Sequence, residues 1–184
     1  DWADPDLFYP TDYCDDLALK YNLKNKFNII YAGNLGKVQG IHHLINAVGR
    51  LQNNTSIQLV LIGDGTEVNS LKQIVYNKEI TNVVFISKKP ISTISQFLAL
   101  GDVLILHLID SDVFRMQMPS KLIAYMASAK PIFCAFEGVA ADTVKNSGCG
   151  VICQSSNEVD ISKQMKKLYK MSKDELVKMG ENAR

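Results

Sequence analysis

Apolar and polar positions alternate along the chain in two periods. Short, nearly continuous apolar runs are separated by stretches in which apolar residues recur every three or four positions. Phe27-Asn28-Ile29-Ile30-Tyr31-Ala32 reads as a strand buried on both faces and ending at Gly33. Ile41, Leu44, Ile45, Val48 and Leu51 then keep helical spacing. Residues 57–62 predict a second strand, stopped by Gly63-Asp64-Gly65, and Val68, Leu71, Ile74 and Val75 a second helix. A third strand covers 83–86, with Ile91, Ile94, Phe97 and Leu98 marking a helix behind Pro90.

The second half keeps the rhythm. Residues 102–107 predict a strand, followed by an irregular stretch from Leu108 to Met118. Pro119 opens a helix to about Ser128, at the helix position that best tolerates a ring-fixed φ. Strands at 131–135 and 151–153 enclose a helix from Val139 to Asn146 that ends at Gly148, and helices at about 158–170 and 173–182 close the chain. Near-continuous apolar strands separated by helices imply a parallel sheet covered on both faces. Right-handed crossovers make it an α/β, doubly wound, Rossmann-like domain of about six strands. Ligands of such sheets sit beyond the C-terminal strand ends, so the informative loops follow Ala32, Ile62, Ile86 and His107.

Composition narrows the field. The 184 residues are 47% hydrophobic and 21% charged, ordinary for one globular domain. Twenty Lys and Arg against nineteen Asp and Glu leave a formal charge of +1, so no global field favours nucleic acid or an anionic membrane. No run of eighteen apolar residues is present to span a bilayer, and no basic-then-apolar leader opens the chain. The first residue is Asp1 and the opening reads as a linker cut short, which suggests a piece of a longer protein. Cys14, Cys134, Cys149 and Cys153 form no CxxC pair and stand near no histidine at ligand spacing; a reducing, cytoplasmic setting is expected, and no metal site. Cys149 and Cys153 read as small hydrophobes buried on one face of a strand.

Two loops carry candidate chemistry. Gly33-Asn34-Leu35-Gly36-Lys37-Val38-Gln39-Gly40 joins the first strand to its helix, and its glycines permit close approach of backbone amides to an anion. The spacing is neither GxGxxG nor a P-loop. Met118-Pro119-Ser120-Lys121 starts a helix whose first amides, with the lysine charge, suit a phosphate or diphosphate. Either loop alone is equally well a plain turn or a capped helix start. Two anion-ready helix starts in one sheet point to a nucleotide. Lys88 and Lys89 could meet a phosphate or a base edge, or simply be solvated. His42 and His43 lack an acidic or Cys partner nearby in the sequence and read as surface or packing residues. His107 ends a strand at the functional edge. No Ser-His-Asp or Cys-His arrangement assembles, so no catalytic residue is assigned.

The order of these motifs resembles the nucleotide-binding half of family 4 glycosyltransferases. The resemblance runs through Tyr31 to Gly40, Leu61-Ile62-Gly63-Asp64-Gly65, Asn82-Val83-Val84-Phe85 and Gly101-Asp102-Val103-Leu104. It continues through Pro119-Ser120-Lys121-Leu122, Lys130-Pro131-Ile132 and Met179 to Arg184, with Trp2-Ala3-Asp4 similar to the family's interdomain linker. It implies the C-terminal, donor-binding half of a GT-B enzyme that transfers a hexosyl group from a UDP- or GDP-linked sugar with retention of configuration. Residues 1–26 would then be linker and lead-in, and 27–184 the donor domain.

By the same resemblance, the diphosphate lies among Gly33, Asn34, Gly36, Lys37, Gln39, Gly40, Pro119, Ser120 and Lys121. The base and ribose lie near Ile86, Ser87, Lys88, Lys89 and Ala124. No cofactor or metal is tightly held. The acceptor, a sugar or a lipid-linked sugar, meets a separate N-terminal half, and the enzyme is cytoplasmic or peripheral at the inner membrane face. Two departures stand out: the family's loop Arg and Lys are Asn34 and Gln39 here, leaving Lys37 as the nearest cation, and its two glutamates are Met116 and Ala124. The Pro-Ser-Lys-Leu and Cys-Gly-x-x-Cys patterns resemble a branch that assembles capsule and O-antigen sugars. A dinucleotide-binding oxidoreductase domain and a non-catalytic flavodoxin-like module remain as alternatives. The first needs GxGxxG with an acidic residue about twenty positions on, where only Asp64 offers itself. The second needs an acidic cluster that Gly33-Asn34 does not supply.

Overall fold

The computed structural model describes residue 4 and residues 6–184. Six parallel strands form one sheet in the order β3-β2-β1-β4-β5-β6. They are β1 Phe27–Ala32, β2 Ile57–Gly63, β3 Val83–Ser87, β4 Val103–His107, β5 Ile132–Ala135 and β6 Gly150–Ile152. The doubly wound architecture is therefore present, with the order reversing between β1 and β4.

The apolar runs work because the four inner strands β2, β1, β4 and β5 are buried on both faces, while the edge strands β3 and β6 are only partly covered. Ile30, Ala32, Val60, Ile62, Leu104 and Leu106 point to one core, which is covered by α1 (Asp15–Lys20), α4 (Ile94–Ala99), α6 (Ser120–Ala127), α7 (Val139–Ser147) and α9 (Lys173–Ala183). Ile29, Tyr31, Leu59, Leu61, Val103 and Ile105 point to the other, under α2 (Ile41–Gly49), α3 (Val68–Asn77) and α8 (Glu158–Tyr169). A four-residue helix, α5 (Asp112–Arg115), lies in the stretch that the sequence left irregular.

Some local expectations change. Asp102 precedes β4 instead of starting it, and its carboxylate accepts the Asn28 amide at 2.7 Å. Cys149 and Cys153 are both buried, yet they enter opposite cores. Strand β6 ends at Ile152 and Cys149 still belongs to the turn after α7, so the two-residue alternation does not link them. The lead-in is partly packed, since Ala18 and Leu23 are fully buried in the first core. Of the linker-like opening, Trp2 and Ala3 lie outside the described residues.

Candidate functional site

The switch point is opened by an incomplete ladder. All six residues of β1 pair with β2, but only Ile29 and Ile30 pair with β4. Past that point Ala32 turns an unpaired edge towards β4, and Tyr125 of α6 fills it. The tyrosine hydroxyl accepts the Ala32 N–H at 2.8 Å and faces the Ala32 carbonyl at 3.4 Å. A buried N–H left without a partner is costly, so this bond fixes α6 against the end of β1.

The loop after β1 is braced from the neighbouring strand. Leu35 N–H donates to the Asp64 carbonyl at 2.9 Å, and Glu67 N–H to the Leu35 carbonyl at 3.0 Å. Gly63 packs directly on Gly33: a Cβ on Gly63 would lie 1.9 Å from the Gly33 carbonyl oxygen. Lys37–Gln39 then make one 3-10 turn, and Gly40 takes φ 57°, the left-handed conformation that glycine adopts without penalty, before α2 begins. The Gln39 side-chain oxygen accepts the Gly36 N–H at 3.1 Å and the Asn34 amide at 3.3 Å, closing the loop on itself.

Opposite this loop stands the start of α6. Leu122 N–H bonds the Pro119 carbonyl at 2.9 Å, leaving the Ser120 and Lys121 amides as the orphan donors of the first turn. Lys121 folds back towards β1. Its ammonium donates to the Tyr31 hydroxyl and lies 3.7 Å from the centre of the Tyr31 ring. The hydroxyl in turn donates to the Asn34 carbonyl at 2.9 Å. Desolvation depresses the lysine to a pKa of about 7, and burial pushes the Tyr31 phenol well up, so the tyrosine stays neutral.

Two clefts result. The smaller, about 240 Å³, is lined by Tyr31, Asn34, Gln39, Leu106, His107, Leu108, Pro119, Ser120, Lys121 and Phe136. The larger, about 520 Å³, runs over the ends of β1 and β2 between Gly33, Asn34, Gly63, Asp64, Gly65, Lys88, Lys89, Ile91 and Ile94, with Phe8 closing one side. Asn34 lines both.

The structure thus brings Asn34, Gln39, Pro119, Ser120 and Lys121 to one cleft, and Gly33, Lys88 and Lys89 to the other. Gly36 and Gly40 shape the loop, and the Gly36 N–H is already taken by Gln39. Lys37 is exposed and lines neither cleft. Lys121 is the cation that reaches the first loop: its Nζ occupies the space a Cβ on Gly33 would need. Ile86, 2% exposed, belongs to the core, and Ala124, 8% exposed, is buried on α6, so neither side chain lines a cleft; Ser87 is exposed at the end of β3 and also lies outside both. Met116, at the other glutamate position, is 79% exposed.

Residues far apart in the sequence supply what local reading missed. His43 does have an acidic partner: its Nδ1 lies 3.1 Å from the Glu158 carboxylate, which also accepts the Asn46 amide at 2.7 Å. Lys89 is not simply solvated, since its ammonium donates to the Tyr21 hydroxyl at 2.9 Å. Arg115 forms two bonds to Asp110, at 2.9 and 2.8 Å, and reaches Glu137 at 3.2 Å, tying the 108–119 stretch to the end of β5. Among the described residues no group of His, Cys, Asp and Glu stands together as a metal set. Among the same described residues no helix is long and apolar enough to cross a membrane.

This sheet order, with clefts over the ends of its central strands, is that of a doubly wound, Rossmann-like domain, and solved glycosyltransferases share it. Anabaena HepE, solved with UDP and glucose, superposes with a TM-score of 0.84 at 20% identity, covering 100% of this chain and 49% of HepE. The C-terminal domain of the group 1 glycosyl transferase LpcC from Francisella tularensis gives 0.79 at 18% identity, covering 98% of this chain and 94% of that domain. At such identities the likeness speaks for the fold alone.

The sequence specifies the family. The model of the family described as "Glycosyl transferases group 1" matches residues 17–184, and the chain belongs to that family. It is 28% identical over 142 residues to the probable glycosyltransferase WbjE of Pseudomonas aeruginosa, covering 76% of this chain and 35% of WbjE. It is 26% identical over 158 residues to N-acetyl-alpha-D-glucosaminyl L-malate synthase of Bacillus anthracis, covering 85% of this chain and 39% of that enzyme. The chain therefore spans well under half the length of these curated relatives.

Proposed function

We propose that this domain binds a nucleoside-diphosphate sugar as the donor half of a retaining, hexosyl-transferring family 4 glycosyltransferase. One observation carries the reading: the orphan Ser120 and Lys121 amides, the Lys121 ammonium and the glycine loop after β1 converge on a single small cleft. A diphosphate placed there meets a helix N-terminus and a lysine whose charged form it favours. The base then occupies the adjoining larger cleft over Gly63 to Gly65, with Lys88 and Lys89 on its rim. UDP is favoured over GDP by the UDP complexes of HepE, a neighbour in fold.

The remainder extends the same proposal. A second half supplies the acceptor site, so this domain by itself binds donor without turnover. The Pro-Ser-Lys-Leu and Cys-Gly-x-x-Cys patterns support a role in surface polysaccharide assembly, at the cytoplasmic side and peripheral to the inner membrane if the acceptor is lipid-linked. The neutral residues at Met116 and Ala124 leave the sugar and ribose hydroxyls to other partners. Calorimetric titration with UDP-glucose, UDP-N-acetylglucosamine and GDP-mannose tests the reading. Saturable heat with one nucleoside class is expected; no heat with any of them contradicts it.

A further inference from the structure

His107, the last residue of β4, is 2% exposed and lines the smaller cleft, but the reading above gives it no role. Its Nδ1 lies 2.7 Å from the Gln39 carbonyl oxygen, and its Nε2 lies 3.4 Å from the Ser156 amide nitrogen. A carbonyl only accepts and an amide N–H only donates, so these partners select the neutral ring with its proton on Nδ1. The ring also packs on the turn itself, since a Cβ on Gly40 would stand 2.8 Å from the His107 Cε1. Beside it, Ile109 N–H donates to the Val38 carbonyl at 3.0 Å. The end of β4 thus holds the 37–40 turn at two successive places.

The residue whose carbonyl His107 holds, Gln39, is also the residue whose side chain closes the loop on Gly36 and Asn34. Fixing the Gln39 peptide fixes both ends of that closure, and with it the lining of the smaller cleft. We propose that His107 is a positioning residue for the diphosphate, holding the Gln39 peptide so that the loop presents its lining to the anion in a set orientation. The inference deepens the donor-site reading and rests on it.

The experiment compares a nucleotide with its nucleoside on the full chain. UDP and uridine are titrated into the wild type, His107→Leu and His107→Asn, with GDP and guanosine run in parallel. His107→Leu is expected to weaken the diphosphate at least tenfold while changing nucleoside affinity less than twofold. His107→Asn, whose amide N–H stands where the ring Nδ1–H does, is expected to recover the diphosphate to within about threefold of wild type. A merely structural histidine would weaken nucleotide and nucleoside alike, and that result overturns the proposal, as does wild-type UDP affinity in the Leu variant. Should His107→Leu fail to fold, the imidazole resonances of the wild type decide. A Nδ1–H signal that shifts on UDP saturation and not on uridine is expected; an Nε2–H tautomer or an unmoved signal overturns it. A wild type that binds neither UDP nor GDP is a separate failure, of the donor site itself, and removes this inference with it.

Discussion

The Lys121 ammonium rests 3.7 Å from the centre of the Tyr31 ring, on the ring's own hydroxyl and against the Gly33 backbone. A cation from the sixth helix thereby reaches the loop after the first strand, where the family's own loop cations are Asn34 and Gln39. The site's positive charge comes from across the cleft. Removing it should be felt mainly by an anion. Lys121→Ala is expected to weaken UDP binding by ~1–3 kcal/mol, with little effect on uridine, as measured by calorimetry.

The same lysine is expected to make donor binding pH-dependent. Burial lowers it to about 7, and a diphosphate alongside favours its protonated form. Below that pH the ammonium is already present. Above it, each binding event must take up a proton, so the Kd for UDP-glucose is expected to rise by up to about tenfold per pH unit. Titrations between pH 6 and 9 check this, and Lys121→Met should flatten the slope.

Tyr125→Phe removes the hydroxyl that satisfies the Ala32 N–H where β1 parts from β4. The loss of stability expected from urea unfolding is about 1–3 kcal/mol, because the amide is left buried and unpaired.

How legible was all this beforehand? The six strands and the positions of their helices followed from apolar periodicity, because a sheet covered on both faces writes itself into uninterrupted apolar runs. Boundaries that depend on a distant partner did not follow. Asp102 caps Asn28 instead of extending β4, and Cys149 and Cys153 part company because β6 is only three residues long and includes neither of them. Within the candidate site, the Asn34, Gln39, Ser120 and Lys121 cluster was readable from two helix starts. The roles of Tyr31 and Tyr125 were not, since Tyr31 accepts from Lys121 and Tyr125 from Ala32, each in a different element. Lys37 looked like the loop's cation because it is near in sequence. Lys121 holds that place because it is near in space.

Gly63→Ala tests the bracing of the first loop. The new Cβ would lie 1.9 Å from the Gly33 carbonyl oxygen, and that backbone cannot yield without moving the cleft floor. A destabilisation of at least about 2 kcal/mol is expected in denaturant titration, with UDP affinity reduced in whatever protein remains folded.

Acid sensitivity should trace in part to His107. Desolvation lowers it from 6.5 to about 4 in the fold, with the neighbouring His43 and His42 acting in the same direction and the Gln39 carbonyl opposing. The unfolded chain therefore binds the proton first as pH falls. Stability attributable to the neutral ring is complete above about 6.5 and is lost progressively as the pH drops towards 4, by an amount on the order of 3 kcal/mol. His42 is shifted the same way, so the informative quantity is the difference in pH slope between wild type and His107→Asn, followed by urea unfolding.

A crystal structure with UDP-glucose tests the central claim most directly. Diphosphate oxygens within hydrogen-bond reach of the Ser120 and Lys121 amides, with the Lys121 ammonium drawn from Tyr31 towards them, are the predicted result. Nucleotide density at the opposite end of the sheet, beside Asp102 and Lys130, with the smaller cleft unchanged, would contradict it.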